Sequence, residues 1–250
     1  MNKNTIFIDI GNSNIKIRIK KNKNLLFSDS FSVKDIALLK NFKGIDEISR
    51  VLISNVAHES HNNFIKSLFP LVSVNHFIIA QVQQELLKTD YAETLGIDRW
   101  LSALAIQEYH FDNNIIIDAG TTVTIDLLVN SGHEAVFKGG IILPGLNLYH
   151  QSLNQNTNRI ASQIKADITG INTTDMAVMN GFLMSVTGAI EQLIRYTSLS
   201  IEKSTFHLTG GDQKVLFSSF REEVKSRCKL YENLVLDGLE AYANLSFLDK

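Results

Sequence analysis

Apolar residues near the N-terminus first run together and then alternate. Thr5 to Ile10 is an apolar stretch, Gly11-Asn12 interrupts it, and from Ile15 the residues Ile15, Ile17 and Ile19 alternate with Lys16, Arg18 and Lys20. Successive side chains of a strand point to opposite faces, so this pattern predicts a strand, a tight turn and a second strand with one wet face. Leu25 to Phe31 predicts a third strand, Lys34 to Asn41 a helix, Val51 to Asn55 a buried strand and Ser60 to Leu68 a further helix. Asp98 to Tyr109 has helical spacing, with Leu101, Leu104, Ala105 and Tyr109 on one face, and it runs into the turn cluster Asp112-Asn113-Asn114.

The opening pattern then returns. Ile6-Phe7-Ile8-Asp9-Ile10-Gly11-Asn12-Ser13 aligns with Ile115-Ile116-Ile117-Asp118-Ala119-Gly120-Thr121-Thr122, and Ala135 to Ile142 supplies another third strand. A repeat this long is two homologous halves rather than a solenoid. The expected division is 1–113 and 114–250. Thr174 to Ser198 predicts the longest helix, Thr205 to Thr209 a strand ending at Gly210-Gly211-Asp212, Lys214 to Lys225 one helix and Leu236 to Leu245 a closing one.

Composition narrows the function classes. The 250 residues are 44% hydrophobic and 20% charged with 2 Pro and 1 Cys, which describes a globular chain with a real core. The formal net charge of -2 gives no global positive field to gather nucleic acid or anionic membrane, so neither is expected as a partner. A single cysteine, Cys228, forms no internal disulfide, and no apolar leader precedes Thr5, which points to the cytoplasm; no run of about 18 apolar residues predicts a membrane span.

The chemistry sits at the two turns. An Asp ending a buried strand, followed by Gly and small hydroxyl or amide residues, presents backbone N–H groups to phosphate oxygens while its carboxylate holds a cation. Asp9 or Asp118 alone would be read as a turn stabiliser. Two copies in equivalent places, facing each other about a pseudo-two-fold, would grip a triphosphate from both sides of one cleft. Elsewhere, Asp98 is either a proton acceptor or a helix-terminal residue, and Arg99 either a donor fork for a polar substrate or a surface ion-pair partner. Lys16 either reaches phosphates or solubilises an edge. Thr174 is a good helix N-cap with Thr173 as its rival. His58 and His61 lack further ligands for a zinc pattern.

The repeated DxG turns resemble those of the actin, sugar kinase and Hsp70 superfamily, and five ordered motifs are similar to those of type III pantothenate kinases. These are Asp9 through Gly11, Asn12, Ser13, Asn14, Ile15 and Lys16; Gly96-Ile97-Asp98-Arg99; Asp118 through Thr124; Gly139-Gly140 through Pro144-Gly145; and Leu208 to Asp212. The resemblance implies an α/β fold of two ribonuclease-H-like domains with the ATP cleft between them. It implies ATP-dependent phosphorylation of pantothenate to 4'-phosphopantothenate, the first step of coenzyme A biosynthesis, with Mg2+, a monovalent cation such as K+ or NH4+, and a homodimer. It carries the ATP contacts to Asp9, Ile10, Gly11, Asn12, Ser13, Asn14, Ile15, Lys16 and Thr121, and the proton acceptor to Asp98. The substrate contacts fall on Tyr91, Gly96, Ile97, Asp98, Arg99 and Thr174, the monovalent-cation ligand on Asp118, and a Mg2+ ligand on Asp9. Ser13 replaces the usual Thr, and Tyr91 stands two residues closer to Gly96 than usual without the customary proline. The competing functions are another kinase or phosphohydrolase of the superfamily and a non-catalytic nucleotide-binding regulator.

Overall fold

In the computed structural model, residues 4–41, 45–107, 113–131, 134–164 and 170–246 are described. The chain divides into two compact units, one made of residues 1–109 with 233–250 and one of 110–232.

The first unit is built on β1 (Asn4–Ile10), β2 (Asn14–Lys21), β3 (Asn24–Ser32), β4 (Ile48–Asn55) and β5 (Phe77–Ile79), in the order β3-β2-β1-β4-β5. The first three strands form an antiparallel meander, and β4 and β5 run parallel to β1. The alternation read from the sequence sets the burial: Ile15, Ile17 and Ile19 of β2 join Ile6, Ile8 and Ile10 of β1 under Ile65 and Phe69, the former on helix α1 (Ser60–Leu68). Each such fully buried side chain contributes roughly 1.5–3 kcal/mol. The opposite face of the sheet meets α2 (Ile97–Ile106), which follows the short strand β6 (Lys88–Thr89), and the closing helix.

The second unit repeats the plan. Strands β7 (Asn113–Ala119), β8 (Thr122–Ser131) and β9 (Glu134–Pro144) form a meander, and β10 (Ser204–Thr209) and β11 (Cys228–Leu230) continue it in parallel on the far side of β7. The order β9-β8-β7-β10-β11 is that of β3-β2-β1-β4-β5. Helix α3 (Leu146–Asn156) follows β9, and α4 (Thr174–Tyr196) lays Met179, Phe182, Val186, Ile190 and Ile194 on the core of Ile115, Ile117, Ile125 and Phe206. By length and composition α4 could cross a membrane, although its sequence holds no unbroken apolar run of that length; about a third of its most apolar stretch is buried.

Three expectations change. The stretch 34–41 is not α-helix but 3-10 turns over Val33–Asn41, kinked at Asp35. The single helix over 214–225 is two, α5 (Gln213–Ser219) and α6 (Glu222–Lys225), because Phe220, buried in the core, leaves the helix with φ -70° and ψ 148°. The final helix α7 (Leu234–Ser246) belongs to the first unit rather than to a domain spanning 114–250. Arg18 on β2 donates to Asp237 at 2.6 Å and to Glu240 at 2.7 Å, Lys20 donates to Glu240 at 2.5 Å, and Trp100 of α2 packs edge-on against Tyr242. The expected ends Tyr109 and Asp112 lie outside the described residues.

Candidate functional site

The first unit gathers most of the predicted residues at the C-terminal end of β1. The turn after Ile10 is closed by Gly11 N–H donating to Asn14 O at 3.0 Å, and Asn12, Ser13 and Asn14 are exposed. Ile10 and Ile15 lie fully in the core, so what they can offer a nucleotide is backbone. Asp9 is buried and sits directly across from Lys16 in the β1–β2 register, with Lys16 Nζ 3.8 Å from Asp9 Oδ2.

Asp98 stands in the first turn of α2, whose N-cap is Gly96. A side chain at Gly96 would lie 2.6 Å from Asp98 Oδ1, so glycine leaves that carboxylate its place. Burial pushes the Asp98 carboxyl above the usual range, opposed by the backbone N–H of Arg99 and by the charges of Arg99 and Lys16. The Asp98 carboxylate accepts from the Arg99 N–H at 2.8 Å in the first turn of α2, and Arg99 itself is buried. Its guanidinium lies over the Tyr91 ring, 5.1 Å from the centroid, and Nη1 is 3.4 Å from Tyr91 Oη. The shortened spacing therefore still brings Tyr91 to Arg99. Ile97 is half-buried beside them.

In the second unit Asp118 occupies the place of Asp9, and its register partner is Thr124. The turn closes through Gly120 N–H to Thr122 O at 3.1 Å, leaving Thr121 exposed at the tip. A side chain at Gly120 would stand 3.2 Å from Asp118 Oδ1, and one at Gly210 2.6 Å from it. Gly210 also has φ 97°, a conformation that favours glycine. Asp118 thus lies in a cradle that a methyl group would fill. Hard oxygen donors in such a space suit a cation. Gly211 faces open space, and Asp212 beside it has its carboxyl pushed up by burial while its N–H donates to Ala119 O.

Thr174 is exposed at the start of α4, and the cap is Thr173, whose hydroxyl accepts from Met176 N at 3.3 Å. The Thr174 hydroxyl is not engaged as that cap. Cys228 is half-buried with its thiol pushed up to about 11 by desolvation, which keeps it protonated and unreactive at neutral pH. Among the described residues no cluster of three His, Cys, Asp or Glu could hold a metal by itself, so an ion here would complete its shell with water or phosphate oxygens.

One polar group escaped the sequence reading. His207 on β10 is fully buried between Asn114 Oδ1 and Tyr231 Oη, each 2.9 Å away. An amide oxygen only accepts, so Nε2 carries the proton and Nδ1 accepts from Tyr231. The signal available was a histidine inside an apolar strand, Phe206-His207-Leu208.

Comparison with known proteins follows the same lines. Residues 5–196 match the type III pantothenate kinase family. A type III pantothenate kinase from Acinetobacter baylyi is 32% identical over 251 residues, covering 95% of this chain and 96% of that protein. Among solved structures, a conserved Campylobacter jejuni protein described as a candidate Baf family transcriptional activator superposes with a TM-score of 0.60 at 20% identity, covering 96% of this chain and 98% of that one. A candidate N-acetylmannosamine kinase from Listeria monocytogenes superposes with a TM-score of 0.51 at 12% identity, covering 97% and 99%. At these identities the solved structures speak for the fold, which is the actin-like ATPase and sugar kinase fold.

Proposed function

This chain belongs to the type III pantothenate kinase family, and on that premise we propose how its residues divide the work of phosphorylating pantothenate with ATP. The product, 4'-phosphopantothenate, opens coenzyme A biosynthesis. The single observation that carries the residue assignment is the grouping in the first unit of Asp98, Arg99 and Lys16, with Asp9 next to Lys16.

Asp98 accepts the proton of the pantothenate hydroxyl. In the step, the hydroxyl oxygen bonds to the γ-phosphorus, the bond from that phosphorus to the β,γ-bridging oxygen breaks, and the hydroxyl proton passes to the Asp98 carboxylate. The transition state is loose, so the proton leaves late and the carboxylate acts mainly by orienting the hydroxyl. Burial raises its basicity toward that task. Arg99, stacked on Tyr91 and so held in one orientation, offers its donors to the polar end of pantothenate together with Gly96, Ile97 and Tyr91. Thr174 adds a hydroxyl to substrate.

The turn from Gly11 to Asn14 and Thr121 bind ATP, with Lys16 facing its phosphates. The carboxylates fit cations: Asp9 would hold Mg2+ and Asp118, in its glycine cradle, K+ or NH4+. When bound, these ions neutralise the negative charge of the phosphates. A second copy of the chain covers part of α4, where Met184 is 66% exposed and Gly188 faces open space. The enzyme is cytoplasmic.

An assay coupling ADP release to pantothenate addition, run with K+ and with Na+, tests the reading. Turnover that requires pantothenate and rises with K+ is expected. ADP release with a sugar in place of pantothenate would reassign the acceptor, and release with no acceptor would indicate a phosphohydrolase.

A further inference from the structure

Lys16, Asp9 and Ser54 stand in one row across the end of the first sheet, since Asp9 on β1 pairs with Lys16 on β2 and with Ser54 on β4. Paired residues on neighbouring strands project to the same face, roughly 5 Å apart. Ile8, Ile10 and Ile53 fill the core on one side, so Asp9 and Ser54, at the intervening positions, lie on the other, the face that meets α2 and α7. The row is level with the Gly11 turn, and just beyond it Val56 N–H donates to Ile10 O. Ser54 is fully buried, and its hydroxyl oxygen has no hydrogen-bond partner among the described residues. A buried hydroxyl in that state costs stability and marks a place where a water or a ligand completes it. The second unit repeats the chemistry at the equivalent place: Asp118 pairs with Thr209 of β10, which is also buried. In both halves the aspartate thus has a buried hydroxyl residue beside it on the parallel strand.

We infer that Ser54 is a positioning residue of the cation site at Asp9: its hydroxyl oxygen accepts a hydrogen bond from a water in the shell of a divalent ion held by that carboxylate. The inference rests on the assignment of Mg2+ to Asp9. Mg2+ gives up its waters reluctantly and is held through one or two carboxylates and substrate phosphates, so much of what a protein offers it acts through water. Water bound to a cation is a strong donor and needs an acceptor with a fixed place. Ser54 supplies one beside Asp9, and because the hydroxyl is not bonded to that carboxylate directly, it is available to the water.

The probe is Mn2+, titrated into the full chain in the presence of a non-hydrolysable ATP analogue, with the chain in excess over nucleotide and the free ion read by electron paramagnetic resonance. Ser54→Ala should weaken Mn2+ about tenfold, the order of effect of an outer-shell partner. The same variant should keep or raise the melting temperature of the metal-free chain, because the deleted hydroxyl bonds to no other part of the protein. Asp9→Asn should weaken Mn2+ further. Affinity lost in Asp9→Asn but kept in Ser54→Ala would overturn this proposal and leave the Asp9 assignment standing, whereas affinity kept in Asp9→Asn would overturn both. A lowered metal-free melting temperature in Ser54→Ala, or failure of that variant to fold, would also overturn the proposal, since it would give the hydroxyl a structural bond instead.

Discussion

The two units share one strand plan but treat their aspartates differently. In the first, the turn between paired residues Ile10 and Ile15 holds four residues, and Asp9 faces Lys16. In the second, the turn between Ala119 and Val123 holds three, and Asp118 faces Thr124. The second turn is one residue shorter with the pairing kept, and the residue across from the carboxylate is a threonine instead of a lysine. Lys16 sets a positive charge 3.8 Å from Asp9 Oδ2, whereas Asp118 has Thr124 as its register partner and glycines packed close around it. Duplication of one frame thus sets two carboxylates in different electrostatic surroundings.

The first unit also carries Asp98, which lies outside the aligned segments of the repeat. The largest predicted effect comes from removing its charge. Asp98→Asn should cut turnover by about 10²–10⁴ with ATP affinity largely kept. Steady-state rates and nucleotide titration read this directly. Turnover near the parent value would mean that the catalytic asymmetry between the units lies elsewhere.

A second contrast concerns acid. His207, sealed in the second unit, has its pKa pushed down to about 3 by burial, with the Lys229 charge adding to the effect. Its unfolded value is near 6.5. Above 6.5 both states hold it neutral. As pH falls from there toward 3 the unfolded chain takes up a proton that the folded unit refuses, so stability drops by about 1.4 kcal/mol per pH unit, to a total on the order of a few kcal/mol. The second unit is therefore expected to melt earlier than the first at pH 4 to 5, and His207→Gln should flatten that slope. Differential scanning calorimetry across pH, with hydrogen exchange to assign the transitions, would expose an unaltered slope and so reject the explanation.

Glycine offers the third test, within the second unit alone. At Gly210 an added methyl would stand 2.5 Å from the carbonyl carbon and oxygen of Ala119 at φ 97°, while at Gly211 nothing lies within 4 Å. Gly210→Ala should cost about 1–3 kcal/mol and blunt K+ activation by disturbing Asp118. Gly211→Ala should stay within about 0.5 kcal/mol. Equal thermal shifts in the pair would show that the cradle is not tight.

How much of this was legible in the sequence depends on the range of the contact involved. The hairpins were, because Ile15, Ile17 and Ile19 alternate with cations within one strand, and so was the repeat, because eight consecutive positions align. The return of α7 to the first unit was not: its anchors join Arg18 to Asp237 and Glu240, 219 and 222 positions apart, and no periodicity states which sheet a helix returns to. Helix α3 was missed because only Leu146 among its residues is fully buried, so it lacks an apolar stripe. At the site, Asp98 and Arg99 were named from their motif, but the stacking of Arg99 on Tyr91 needed the folded chain, since the contact spans a bend between β6 and α2.

The smallest effect is the most direct trial of the comparison, because it makes one unit imitate the other. Lys16→Thr places at the first hairpin the residue type that faces Asp118 at the second. Lys16 is the weakest of the influences that hold the Asp98 carboxyl down against burial, so its loss should raise that group further. A base works only when deprotonated, and activity falls as pH drops through its pKa. The acid limb of the kcat/KM profile should accordingly move to higher pH in Lys16→Thr, with a weaker ATP affinity and a similar plateau with pantothenate saturating. An acid limb that stays in place would separate Lys16 from Asp98, or show that some other group titrates there. A limb that moves the opposite way would mean that the positive charge at position 16 acts on a group whose protonated form is the active one.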